Sequence, residues 1–235
     1  MALADFFDRT AVAASHILLG YDDAAFRQLV GETAIGLALG PDLSENEGRH
    51  SADMAMRLTA RLYPTIVLHV APGAEPLAES LEALARSINP KIDVLRDGAT
   101  AKSIVLGQSA PPATNAKSVV YVGSNGWDAL ISLSGPLGFG KSSNPFGAGA
   151  AAAIACADVF ATVFGAMSPC GRGGLTFSTL EGIPSATSRQ LDPGSVEFAG
   201  TVMAGQGAIA NAAIWSLARS GARGEMHLVD DEALD

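Results

Sequence analysis

The sequence predicts an α/β protein: a mixed sheet flanked by helices in three layers, with a separate strand–helix–strand unit at its C-terminal end. Three observations carry this. The runs Ala34–Leu39 and Thr65–Val70 are apolar throughout, as strands covered on both faces are, and a helix-forming stretch lies between them. Helices and strands alternate up to residue 88, and after that short strands follow one another quickly. Hydrophobic residues make up 48% of the chain and glycine supplies 26 of its 235 residues, a composition suited to helices lying close on a sheet.

Taken in order, residues 2–31 read as helical. An amphipathic opening, Ala4 to Ala14 with His16 near its end, precedes a helix over Asp22 to Val30, with Asp22 as N-cap and Gly31 as stop. His16 reads as a structural histidine. The first strand, Ala34–Leu39, ends at Gly40-Pro41, and residues 42–50 read as a long acidic turn. A helix over Ala52 to Leu62 and the strand Thr65–Val70 complete a strand–helix–strand unit that lacks a phosphate-cradling glycine pattern. Acids at that helix entrance would repel a phosphate. Arg49, His50 and Arg57 could form a small cationic site, but the simpler expectation is a solvated face.

Glu75 to Ile88 is amphipathic, with Leu77, Leu81, Leu84 and Ile88 on one side, and Asn89-Pro90 breaks it. Strands follow over Lys91–Leu95, Ser103–Leu106, Val119–Val122 and Ala129–Leu133, with a surface loop over 108–117 and a turn over 123–126. The glycine-rich stretch 135–143 places Lys141 before two serines. Its spacing is not that of a phosphate loop, and a mobile connector is the expectation. Asn144-Pro145 opens a helix at Phe146, whose alanine-rich body is expected to be covered on most sides; Cys156 lies inside it as a core residue. Residues 169–174 read as a hinge, 175–180 as a strand and 184–193 as a linker.

The last forty residues carry the most specific pattern. Val196 to Ala204 is a strand, Gly205-Gln-Gly207-Ala-Ile-Ala210 a glycine turn, Asn211 to Ser220 a helix stopped by Gly221, and Met226–Val229 a second strand ending on Asp230. This is the dinucleotide-binding βαβ arrangement in its G-x-G-x-x-A form, and it makes the fold Rossmann-like. Gly205 permits the tight turn, Gly207 lets backbone approach a phosphate, and Ala210 lets the helix lie on the strands. Free amides at the helix start favour negative charge, and Asp230 would accept hydrogen bonds from ribose hydroxyls.

The stretch Leu228-Val-Asp230-Asp-Glu232-Ala-Leu-Asp235, together with the glycine turn and the 218–224 helix-to-strand turn, resembles the start of the ThiF/MoeB adenylating domain, the family that includes ubiquitin-activating enzymes. In the family's Asp-x-Asp-x-Val-Glu run, Asp230 takes the first acid, Glu232 replaces the second Asp, and Asp235 replaces the Glu. The resemblance implies ATP with Mg as cofactor. It implies Gly205, Gly207, Ala210, Asp230 and Glu232 as nucleotide-binding residues, and a carboxylate partner such as a small ubiquitin-like protein. It covers about 40 residues. The family's Asn-Arg-Gln segment, its downstream lysine and metal-binding aspartate, and its cysteine pairs lie beyond the match. The resemblance therefore implies an N-terminal fragment, 1–190 forming one α/β domain and 195–235 opening the adenylating domain, and inert by itself. Residues 30–167 are expected to be a degenerate relative of the same fold. The alternatives are a NAD- or FAD-binding oxidoreductase fragment, in which Asp230 favours NAD over NADP, and a non-catalytic binding or dimerisation module.

Net charge is −9 and no basic patch is visible, so nucleic acid is not an expected partner. Two cysteines are too few for a disulfide framework or a four-cysteine zinc site. The N-terminus lacks the pattern of a signal peptide, and a cytoplasmic homodimer is the expectation. The apolar stretch from Phe146 to Met167 carries Asp158 and is mostly alanine and glycine, so it is expected to be a core helix and not a membrane span. The four histidines have no ligand spacing, and no serine triad, His-Glu metal helix or carboxylate pair is present, so no catalytic residue can be named.

Overall fold

The computed structural model describes residues 7–44, 46–112, 115–171, 173–184, 196–205 and 207–230. Two helices open the chain, α1 (Phe7–Ile17) and α2 (Asp23–Glu32). Asp22 caps α2 by accepting from the amide of Ala25 at 2.7 Å. The helix runs past Gly31 and stops at Thr33, which leads straight into β1 (Ala34–Leu39). The rest of the body is α3 (Asn46–Leu62), β2 (Thr65–Val70), α4 (Glu75–Ile88), β3 (Asp93–Leu95), β4 (Lys102–Leu106), β5 (Val119–Asn125), β6 (Asp128–Ser132), α5 (Phe146–Val163), β7 (Gly174–Ser178) and β8 (Ile183–Pro184).

The eight strands form one sheet in the order β3-β2-β1-β4-β5-β6-β7-β8. The first five pair in parallel and the last four in antiparallel fashion, β5 belonging to both groups. The chain winds outward from β1 to β3 and then returns to the other side of β1 through β4. This creates a reversal of winding between β1 and β4, the place where open α/β sheets form a crevice. Ile35, Leu37 and Leu39 of β1, Ile66 and Leu68 of β2, and Ile104 and Leu106 of β4 are fully buried. The α/β class and the mixed sheet with flanking helices are as the sequence predicts.

Helix α5 packs along α3 and over β5 and β6. It is long and apolar enough to cross a membrane, yet half of it is buried inside the protein. Its Asp158, fully buried, pairs with Lys102 of β4 and accepts from Ser168. Lys102 also donates to Thr162 at 2.9 Å. A buried charge without partners is expensive, so these contacts make the pair tolerable and pin α5 and the 168–170 turn to the sheet.

Three sequence expectations are corrected here. The acidic stretch 42–50 is not one long turn: Pro41–Ser44 is a single 3-10 turn, and α3 begins at Asn46. The reason is Glu47, which is fully buried and accepts from Ser124 Oγ at 2.6 Å, Gly126 N at 3.1 Å, and Ser142 N at 3.2 Å and Oγ at 2.6 Å. The 135–143 loop is therefore no free connector, because Ser142 holds this internal carboxylate while Lys141 points to solvent. The 123–126 turn is likewise shifted: β5 runs on to Asn125.

The second unit comprises β9 (Glu197–Ala204), α6 (Ala208–Arg219) and β10 (Arg223–Val229). The two strands pair in parallel as a sheet of their own. Helix α6 starts three residues earlier than the sequence suggests, with Gly207 as its N-cap.

Candidate functional site

The C-terminal end of β9 and the start of α6 hold most of the residues singled out from sequence. Gly205 has φ +82°, a conformation that L side chains rarely adopt, so this turn requires glycine. Its amide donates to Val229 O at 2.7 Å, which ties the turn to the end of β10 and puts Asp230 at the same edge. Asp230 is exposed. Around Gly205 and Gly207 there is open space: a Cβ added at either would meet nothing within 4 Å. Gly207 has no side chain to cap α6, and no side-chain cap bond is made at this end of the helix. Ala210 is half-buried on the next turn. Glu232 lies outside the described residues. Gly205, Gly207 and Asp230 thus converge on one open edge, with Ala210 just behind it.

The unit is docked on the body by one side chain above all. Trp215 of α6 is buried and lies over Gly149 of α5, where a Cβ would stand 2.8 Å from its ring. Its Nε1–H donates to Asp53 Oδ2 at 2.8 Å, and Arg57 and Arg219 donate to the same oxygen at 2.8 and 2.9 Å. Arg219 also stacks over the indole, 4.4 Å from its centre. Burial alone would raise the pKa of Asp53, but these donors outweigh it and hold the carboxyl below its usual range.

The crevice of the large sheet is closed from within. Gly40 follows β1 and Gly107 follows β4, the two strands at the winding reversal. Between them stands the carboxylate of Asp42, which accepts from Gln108 N at 2.8 Å, from Ser109 N at 3.3 Å and from Ser109 Oγ. Leu43, fully buried, fills the space beside Gly48 at the start of α3. The amides that would meet a ligand's anion here already hold one supplied by the chain.

Arg49, His50 and Arg57, read from sequence as a solvated face, instead line a cavity of about 790 Å³ that also takes in Arg219 of α6. No sequence spacing links residue 219 to residues 49–57; only the docking of α6 brings them together. Burial, and then the Arg219 charge, holds His50 below the usual imidazole range, so it is neutral at pH 7. Among the described residues, no group of three or more His, Cys, Asp or Glu side chains could hold a metal.

Both cysteine thiols are raised by their surroundings. Cys156 packs against α3, with Ala55 O at 3.9 Å, and burial pushes its thiol up to about 12. Burial and Asp158 push Cys170 up to about 11.

The family profile described as prokaryotic E2 family C matches residues 42–165, more than half of the chain. The chain belongs to prokaryotic E2 family C. The match falls on the α/β body and not on the C-terminal unit that carries the ThiF/MoeB resemblance, so it does not single out that branch. An uncharacterized protein, y4jF of Sinorhizobium fredii (strain NBRC 101917 / NGR234), is 35% identical over 242 residues, covering 100% of this chain and 46% of that protein. The chain thus spans about half the length of that relative. A crystal structure of E. coli MccB with selenomethionine MccA aligns at TM-score 0.48 and 11% identity, over 71% of this chain and 66% of that one, a likeness too distant to argue from.

Proposed function

We propose that the protein serves a ubiquitin-type activation system as the N-terminal part of an ATP-dependent adenylating enzyme. In this reading the C-terminal unit opens the nucleotide-binding domain, and the large sheet is a scaffold that binds no nucleotide. One observation carries it: the open turn at Gly205 and Gly207 meets Asp230 at the edge of a parallel strand pair, while the equivalent crevice of the body is filled by Asp42.

Adenylation joins a carboxylate oxygen to the α-phosphorus of ATP and releases pyrophosphate. The first-turn amides of α6 would offset phosphate charge, and Asp230 would take the ribose hydroxyls. The carboxylate would come from the C-terminus of a small ubiquitin-like protein. No side chain of residues 1–235 is assigned to the chemical step, and the chain alone is catalytically inert in this reading.

A carrier that holds its cargo as a thioester needs a reactive thiolate. Cys156 is packed against the core and Cys170 is buried, and burial raises both thiols, an environment that favours adenylation over a cysteine relay. Asp230 at the strand end also suits the ribose of NAD, so an oxidoreductase is the second reading.

Equilibrium dialysis of the whole protein against Mg-ATP and against NAD separates the two. Retention of ATP that is lost in Gly207→Val supports adenylation. Retention of NAD without ATP overturns it.

A further inference from the structure

The cavity between α3, α4 and the end of α6 has two chemically distinct walls. It opens at the C-terminal ends of β1 and β2, reached through Gly40 and Gly73, the side of an open α/β sheet where ligands bind. One wall is apolar, built from Leu43, Pro76, Leu77, Leu81 and Leu84. This explains why Leu77 and Leu84 are only partly covered although their helix buries Ala78, Leu81 and Ala85 fully.

The other wall is cationic. Among the described residues that line the cavity, Arg49, Arg57 and Arg219 bring three positive charges against the one negative charge of Asp53. Asp53 gathers Arg57 and Arg219 at one oxygen, which fixes their direction. Arg49 has no ion pair among the described residues and stands exposed at the mouth, with the neutral imidazole of His50 beside it. A solvated face would not be expected to gather guanidiniums from two units around a hollow backed by leucines.

We propose that this cavity binds a small organic phosphate or carboxylate with an apolar body, its anionic head on Arg49 and Arg219 and its body against Leu77, Leu81 and Leu84. Size agrees, because ligand pockets run from roughly 300 to 1,000 Å³. The amide cradle next door is occupied by Asp42, so the head must be held by side chains and not by backbone. Since Arg219 belongs to α6, occupancy would also tighten the C-terminal unit on the body. The inference involves neither the 205–207 turn nor Asp230 and stands apart from the ATP reading.

Calorimetric titration of the protein with phenyl phosphate, inorganic phosphate and phenol tests it. Phenyl phosphate should saturate, with inorganic phosphate and phenol each at least tenfold weaker. Arg49→Gln, an exposed change that should leave the near-UV circular dichroism intact, should weaken phenyl phosphate five- to tenfold. Leu84→Gln should weaken it similarly, while Lys141→Gln should leave it unchanged. Absence of saturation, equal affinity for inorganic phosphate, or wild-type affinity in Arg49→Gln would overturn the proposal.

Discussion

The indole N–H of Trp215 donates to Asp53 at 2.8 Å across 162 positions of sequence, and this bond joins the two units of the molecule. Around it the ring rests on Gly149 and beneath Arg219. Asp53→Ala should therefore strand three donors and cost about 1.5–3 kcal/mol of docking free energy. Gly149→Val should clash with the ring and cost about 1–3 kcal/mol. Hydrogen exchange over residues 197–229 should speed up in both, while β1, β2 and β4 stay protected. Exchange unchanged in β9 and β10 would mean that the contact does not hold the unit.

The same contact sets a pH dependence. The carboxyl pKa of Asp53 is depressed in the folded state. Its stabilisation is therefore complete above the unfolded value of about 3.9 and is lost as pH falls through the lower folded value. Trp fluorescence should report undocking of α6 only below about pH 4, and Asp53→Asn should remove that transition.

Asp42 stands where the crevice of the body would receive an anion. Removing it in Asp42→Ala leaves the amides of Gln108 and Ser109 and the Ser109 hydroxyl unpaired. Inorganic phosphate should then raise the melting temperature of the variant in a saturable way and by more than it raises that of the wild type. An equal response in both would show that the carboxylate is not acting as an internal anion.

Lys102 and Asp158 are buried together, so breaking the pair is worse than deleting it. Lys102→Met should destabilise by about 3–5 kcal/mol because it leaves a lone buried carboxylate. Lys102→Met combined with Asp158→Leu should recover much of that loss in denaturant titrations. Additive losses would show that the two charges are not coupled.

The thiols supply a further test. Both lie in the folded body with raised pKa values. Ellman's reagent at pH 8 should leave the native protein largely unreacted over minutes and titrate two thiols once it is denatured. Rapid reaction of either in the native state would reopen a thioester mechanism.

Much of this fold is legible in sequence, and the limits have physical causes. β1, β2 and α4 have the bounds that their punctuation suggests, because Gly40-Pro41 and Asn89-Pro90 act locally. The start of α3 was hidden because Glu47 looks like a solvated acid until Ser124, Gly126 and Ser142, 77 to 95 positions away, surround it. The cationic cavity was half legible: Arg49, His50 and Arg57 were visible as a cluster, but Arg219 joins them only through the docking of Trp215. The C-terminal turn was readable because a glycine turn and a strand-end acid are short-range signals. The plug at Asp42 was not, since its partners Gln108 and Ser109 are 66 and 67 positions away.

The most direct test of the central claim is an amide NMR titration of this chain with Mg-ATP, which detects weak as well as tight binding. The account predicts saturable shifts at Gly205, Gly207, Ala210 and Asp230, none at Gly40, Gly107 or Ser109, and their loss in Gly207→Val. Shifts confined to the Gly40–Ser109 crevice, or no shift at the 205–210 turn at any ATP concentration, would contradict it.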